Sequence, residues 1–174
     1  SPRCPHDPSP PPVSFLLEHH LTKANHHRDF HGYSRSPEGS TYNAYLIRDE
    51  KNVLMDTVYP GWAGSMLCRI AKVMDPEKID YIVCNHMEPD HSGAIELIRK
   101  YYPEIKIVAN KKTFSMIEGF YGITTNEVEV KNGSKLSLGK HELNFVLTPM
   151  VHWPETMVTL DTTSNVLYHS DRKS

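Results

Sequence analysis

The segment from Asp80 to Tyr102 constrains this chain more than any other. An apolar run, Asp80-Tyr-Ile-Val-Cys84, reads as a buried strand. A polar loop from Asn85 to Ser92 follows, and Ala94, Ile95, Leu97 and Ile98 then mark an amphipathic helix that ends before Pro103. Strand, short loop and helix in that order form an α/β unit, whose natural place is the middle of a sheet with helices packed outside. The loop itself carries His86, Glu88, Asp90 and His91, all of them metal-ligating types, and Pro89 stiffens it.

The flanking sequence supports the same architecture. Asn43 to Arg48 and Val53 to Thr57 read as a hairpin closed by the polar turn Asp49-Glu-Lys-Asn52. Trp62, Met66, Leu67, Ile70 and Val73 recur at helical spacing and stop before Pro76. Ile105 to Ala109 is a further strand and Lys112 to Phe120 a short helix. Glu127 to Val130, Lys135 to Leu138 and Glu142 to Leu147 are strands separated by Asn132-Gly133 and Gly139-Lys140 turns. Glu155 to Leu160 and Val166 to His169 complete another hairpin. Ser1 to Pro12 holds six prolines, and residues 1–27 are expected to form a divergent, disordered Pro/His-rich tail ahead of one domain at 28–174.

Composition narrows the function class. With 174 residues the chain suits one core and one active centre. A formal charge of -2 with no basic block argues against nucleic acid or an anionic membrane as partner. No apolar run approaches the roughly 20 residues of a membrane helix, and no secretory signal is read at the start, so a soluble cytoplasmic protein is expected. Cys4, Cys68 and Cys84 form no CxxC pair, which argues against both a disulfide framework and a cysteine zinc site.

In an extended loop, residues two apart point to the same side at roughly 6.5 to 7 Å spacing, so His86, Glu88 and Asp90 are expected to face a common pocket. His152 follows the strand ending at Leu147, and Asp171 follows the one ending at His169. Two histidines with three carboxylates favour a binuclear site, because carboxylates bridge cations and imidazoles serve one. The oxygen donors shift preference toward iron or manganese. A zinc hydrolase, with more imidazoles and a metal-bound hydroxide as nucleophile, is the main competitor. A non-catalytic fragment that only binds metal is the third reading.

The pattern His86-x-Glu88-x-Asp90-His91 resembles the metal loop of the metallo-β-lactamase superfamily with its middle histidine replaced by glutamate, the mark of flavodiiron proteins. Phe30-His-Gly-Tyr33, Thr41 to Ile47, Asp56-Thr-Val58 and Thr148 to Pro154 are similar to the same family, over roughly Arg28 to Asp171. The resemblance implies a metallo-β-lactamase-like αββα sandwich, truncated at its C-terminal side, holding two iron ions that reduce O2 to water, NO to N2O, or both. It implies His86, Glu88 and His152 at the first iron, Asp171 as bridge and Asp90 at the second. His91 is expected beside the metals rather than on them, with His31 and Trp153 on the substrate side. Family members continue to a further histidine and a flavodoxin-like domain. Neither is read in this sequence, so FMN is not expected to bind to it and the second iron is expected to be held more weakly. Electrons would come from a flavodoxin-like FMN or rubredoxin-type donor, and a homodimer is the pairing that the resemblance suggests.

Overall fold

A computed structural model describes residues 14–20, 29–30, 34–35 and 41–170, with side chains from residue 43 onward. Its strands and helices are, in chain order, β1 (Ser14–His20), β2 (Asp29–Phe30), β3 (Ser34–Arg35), β4 (Thr41–Ile47), β5 (Asn52–Met55), α1 (Ala63–Ala71), β6 (Ile79–Val83), α2 (Pro89–Ser92), α3 (Ile95–Tyr101), β7 (Lys106–Ala109), α4 (Lys111–Tyr121), β8 (Glu127–Glu129), β9 (Lys135–Ser137), β10 (Glu142–Leu147), β11 (Met157–Asp161) and β12 (Val166–Tyr168). One sheet runs β1-β4-β5-β6-β7-β8 and a second runs β12-β11-β10-β9. In the first, β4 and β5 form the expected antiparallel hairpin, and β5 through β8 are parallel neighbours.

Parallel strands need long crossovers, and the crossing segments here are α1, α3 and α4. Their buried residues, Met66 and Ile70, Ile95 and Ile98, Phe114 and Ile117, pack with Leu46, Leu54, Ile82 and Ile107 into one apolar cluster. The alternate residues Ile47, Val53, Val83 and Val108 face the other way and pack with Leu143, Phe145 and Met157 of the second sheet. The central strands are therefore apolar on both faces, which is why they read as continuous hydrophobic runs. Helices, sheet and sheet make three layers of the expected sandwich. Val146 and Leu167, on the outer face of the second sheet, remain exposed.

The expected tail does not stay irregular to residue 27, because β1 pairs antiparallel with β4 from Ser14↔Ile47 to His20↔Thr41 and forms one edge of the large sheet. Its Phe15-Leu-Leu17 run supplies the β-compatible residues, and β4 would otherwise leave a row of backbone groups unpaired.

Asp49 ties the two sheets together at their turns. Its Oδ2 accepts the amides of Lys140 and His141 at 2.8 and 2.7 Å, and its Oδ1 accepts that of Glu50. Slight burial pushes the carboxyl pKa up, but the hydrogen bonds from His141, Glu50 and Lys140 outweigh it and hold the group below its ordinary value. A carboxyl whose folded pKa is depressed contributes stability above its unfolded pKa of about 4, and that contribution disappears as pH falls through the folded value. Asp49→Ala is expected to cost about 1 kcal/mol at pH 7. Urea unfolding of wild type and variant should show the difference shrinking at pH 3; a difference that is constant with pH would refute the assignment.

Candidate metal centre

The centre lies where the loop after β6 meets the loop between β10 and β11. Asn85 anchors the first loop. Its amide donates to Asp56 Oδ1 at 2.7 Å, its side-chain oxygen accepts from Thr159 Oγ1 at 2.7 Å, and its carbonyl accepts from the Met157 amide. Asp56 adopts a left-handed backbone (φ 53), which aspartate tolerates better than most residues, and also accepts from Ser170 Oγ at 2.7 Å. Burial raises the Asp56 pKa, opposed by the nearby His91 and the hydrogen bonds from Ser170 and Asn85. Fully buried Met87 pins the middle of the loop. The Ser92 hydroxyl donates to the Met87 and Glu88 carbonyls, and Thr57 donates to the His91 carbonyl through both its amide and its hydroxyl.

The loop is extended only as far as Glu88 (φ -58, ψ 140) and then coils into α2 with Pro89 at its first turn. Pro89 suits that position because the first helical turn needs no amide donor there. Asp90 and His91 therefore ride on a helical turn instead of continuing the two-residue alternation expected from an extended strand. Both are buried, with His91 Nε2 3.5 Å from Asp90 Oδ2.

His86, Glu88 and His152 converge. His86 Nε2 stands 3.2 Å from Glu88 Oε2 and 3.1 Å from His152 Nε2, and His152 Nε2 stands 2.9 Å from Glu88 Oε2. Among the described residues these three form the group able to hold a metal ion. Asp90 is outside that triangle, and Asp171 and His31 lie outside the described residues. The Trp153 and His86 rings meet nearly at right angles, with centroids 5.3 Å apart and planes at 88°.

The triangle fits a cation. Ligand atoms about 2.1 Å from an octahedral metal stand about 3.0 Å apart along one face, whereas a tetrahedral metal spreads them to about 3.4 Å. Edges of 3.2, 3.1 and 2.9 Å are close enough for one cation to reach all three atoms. Two imidazoles and one carboxylate on one face are also the donor set that suits non-haem iron with open positions. Without metal the same distances suit a hydrogen bond from His152 to Glu88, and an entering cation would displace that proton.

One contributor was missed in the sequence. Glu155, fully buried, accepts from His86 Nδ1 at 2.8 Å and from the Met87 amide at 3.0 Å, both on Oε1. Burial pushes its pKa up, but the bonds from His86 and Met87 outweigh this and lower it. His86 shifts the other way: burial pushes it down, while Glu155 and Glu88 outweigh that and raise it. The one available signal was a carboxylate three residues after His152. Cys84, by contrast, is a buried thiol whose pKa is pushed up by burial and by Asp56 and Glu155, which makes it inert.

The chain matches the family described as ODP family beta lactamase over residues 41–173. The rubredoxin-oxygen oxidoreductase of Megalodesulfovibrio gigas is 47% identical over 146 residues, covering 83% of this chain and 36% of that protein. The nitric oxide reductase of Moorella thermoacetica is 41% identical over 134 residues, covering 76% and 34%. Among solved structures, the flavodiiron protein from Giardia intestinalis superposes with a TM-score of 0.83 at 28% identity, covering 99% of this chain and 44% of that one. The chain thus spans about a third of the length of the curated relatives it matches.

Proposed function

Because this chain belongs to the ODP family of β-lactamase domains, with relatives among the flavodiiron oxygen and nitric oxide reductases, we propose that it is the diiron domain of such an oxidoreductase. In this reading it reduces O2 to water, NO to N2O, or both. The observation that carries the reading is the triangle of two imidazole nitrogens and one carboxylate oxygen with edges of 3.2, 3.1 and 2.9 Å.

In this proposal His86, Glu88 and His152 would hold the first iron, Asp90 would serve the second, and Asp171 would be a ligand to both. A ferrous pair held there would supply the two electrons that, with two protons, turn two NO into N2O and water; O2 to two waters takes four electrons, so the reduced donor would supply the other two. Glu88, Asp90 and Asp171 would offset the charge of that pair with oxygen donors, and among the described residues the ligand group contains no cysteine that reactive oxygen would attack. Trp153 walls the His86 side with an apolar ring. The domain, expected to begin at residue 28, would also take in β1 from Ser14, which pairs with β4. The electrons would come from an FMN or rubredoxin-type donor borne outside it, within the cytoplasm, and two paired copies would bring donor and metal together. No described helix is long and apolar enough to cross a membrane.

The test is anaerobic loading with ferrous iron, addition of a separate reduced flavoprotein, and measurement of O2 or NO consumption. Turnover of either gas that depends on iron is expected. Absence of turnover, together with thioester or lactone hydrolysis after zinc loading, would replace this reading with the zinc hydrolase; silence in both would leave a domain that only binds metal.

A further inference from the structure

His86 has two ring nitrogens, and only one can face a metal with a lone pair. A neutral imidazole carries its proton on either nitrogen, and which one is set by what the other meets. Here Nδ1 meets Glu155 Oε1 at 2.8 Å inside a fully buried contact, while Nε2 points at Glu88 and His152. An ionised carboxylate only accepts hydrogen bonds, so Glu155 keeps a proton on Nδ1 and leaves Nε2 as the nitrogen that would give its lone pair to a cation in the triangle, releasing any proton shared there with Glu88.

Glu155 is itself held independently of His86. The Met87 amide donates to the same Oε1 at 3.0 Å, and the Asn110 side-chain amide donates to the Glu155 carbonyl at 2.6 Å. Asn110 also caps α4, with its Oδ1 accepting from the Lys112 and Thr113 amides. Glu155 therefore hangs from a rigid helix end and fixes a residue 69 positions away in sequence. Its Oε2 has no hydrogen-bond partner among the described residues, so no second donor competes with His86 and Met87 for the carboxylate.

Resting on the reading of this site as a metal centre, we propose that Glu155 is a positioning residue that locks His86 in the Nδ1–H tautomer and strengthens it as a ligand through its negative charge. Carboxylates behind ligating imidazoles raise ligand basicity, and losing one typically costs about 10- to 100-fold in metal affinity.

The two contributions separate in two variants. Glu155→Gln keeps an oxygen able to accept from both His86 and Met87 but removes the charge. Glu155→Ala removes both. In the metal-free chain, the 15N resonances of the His86 imidazole should report a protonated Nδ1 in wild type and Glu155→Gln, and loss of that preference in Glu155→Ala. Competition with a chromophoric chelator for ferrous or cobaltous ion should give about tenfold weaker binding for Glu155→Gln and up to about 100-fold for Glu155→Ala. Glu155→Gln is nearly isosteric and keeps the test valid if Glu155→Ala fails to fold. If wild type binds metal and Glu155→Gln binds it equally well, the charge has no role and this inference falls alone. If wild type binds no metal, the metal-centre reading falls and takes this inference with it.

Discussion

His86→Ala is expected to abolish tight metal binding and also to destabilise the metal-free chain, whereas His152→Ala is expected to do only the first. Both residues supply one corner of the triangle. Removing a ligand should cost more than the roughly 100-fold upper range seen when a ligand's supporting partner is removed. Their surroundings differ. The His86 side chain is fully buried, so alanine there leaves a cavity and strips the Glu155 carboxylate of a charge-assisted hydrogen bond inside the core. A cost of about 3 kcal/mol follows from leaving a buried charged group short of a partner. The His152 side chain is 35% exposed, and its neighbours can be solvated when it is cut back. A stability change within about 1 kcal/mol is expected.

Metal analysis after iron loading and mild chelation reads the first effect. Wild type should keep the ion at the triangle and lose the ion on the Asp90 side sooner, while both variants should keep neither firmly. Urea unfolding of the metal-free chains reads the second. Two irons retained equally by wild type would overturn the expected difference between the positions. Metal retained by His86→Ala at the wild-type level would remove the triangle as the site.

Most of the scaffold is legible in the sequence because its signals are local. Ile82 and Val83, or Ile107 and Val108, are adjacent apolar residues that face opposite clusters. Such runs announce a doubly covered central strand before any partner is known. The ligand loop is legible for the same reason: its residue types are concentrated between a strand and a helix. What escaped depends on distant parts meeting. Glu155 reads as the first residue of a hairpin strand, and nothing local says that its carboxylate reaches His86. The departure of Asp90 from the extended alternation was signalled by Pro89, which starts helical turns as readily as it stiffens loops. The pairing of β1 with β4 depended on an edge that becomes visible only when β4 is placed in the sheet.

Gly93→Ala is expected to damage fold and site together, and the reason is space rather than backbone torsion. Gly93 has φ -65 and ψ -20, a conformation that alanine adopts freely. A Cβ there would lie 2.3 Å from Pro60 Cδ, 2.7 Å from Pro60 Cγ and 2.4 Å from the Pro89 carbonyl oxygen. None of these atoms can swing aside, because one set belongs to a proline ring and the other to backbone. Pro60 opens the turn Pro60–Trp62 that leads into α1, and Pro89 opens α2. Relief requires α2 and the start of α1 to move apart, and Asp90, His91 and the end of the Glu88 loop move with α2. Overpacking of this kind costs about 1–3 kcal/mol and at times more; two backbone-linked clashes place Gly93→Ala at about 3 kcal/mol. The control lies in α1 itself. A Cβ at Gly64 meets nothing within 4 Å, so Gly64→Ala should stabilise by about 0.5–1 kcal/mol through helix propensity alone. Urea midpoints should therefore move in opposite directions for the two substitutions, and metal affinity should fall for Gly93→Ala while staying unchanged for Gly64→Ala. A Gly93→Ala chain as stable as wild type would mean that α2 is not wedged against Pro60, and with it the account of how Asp90 and His91 are held beside the triangle would fail.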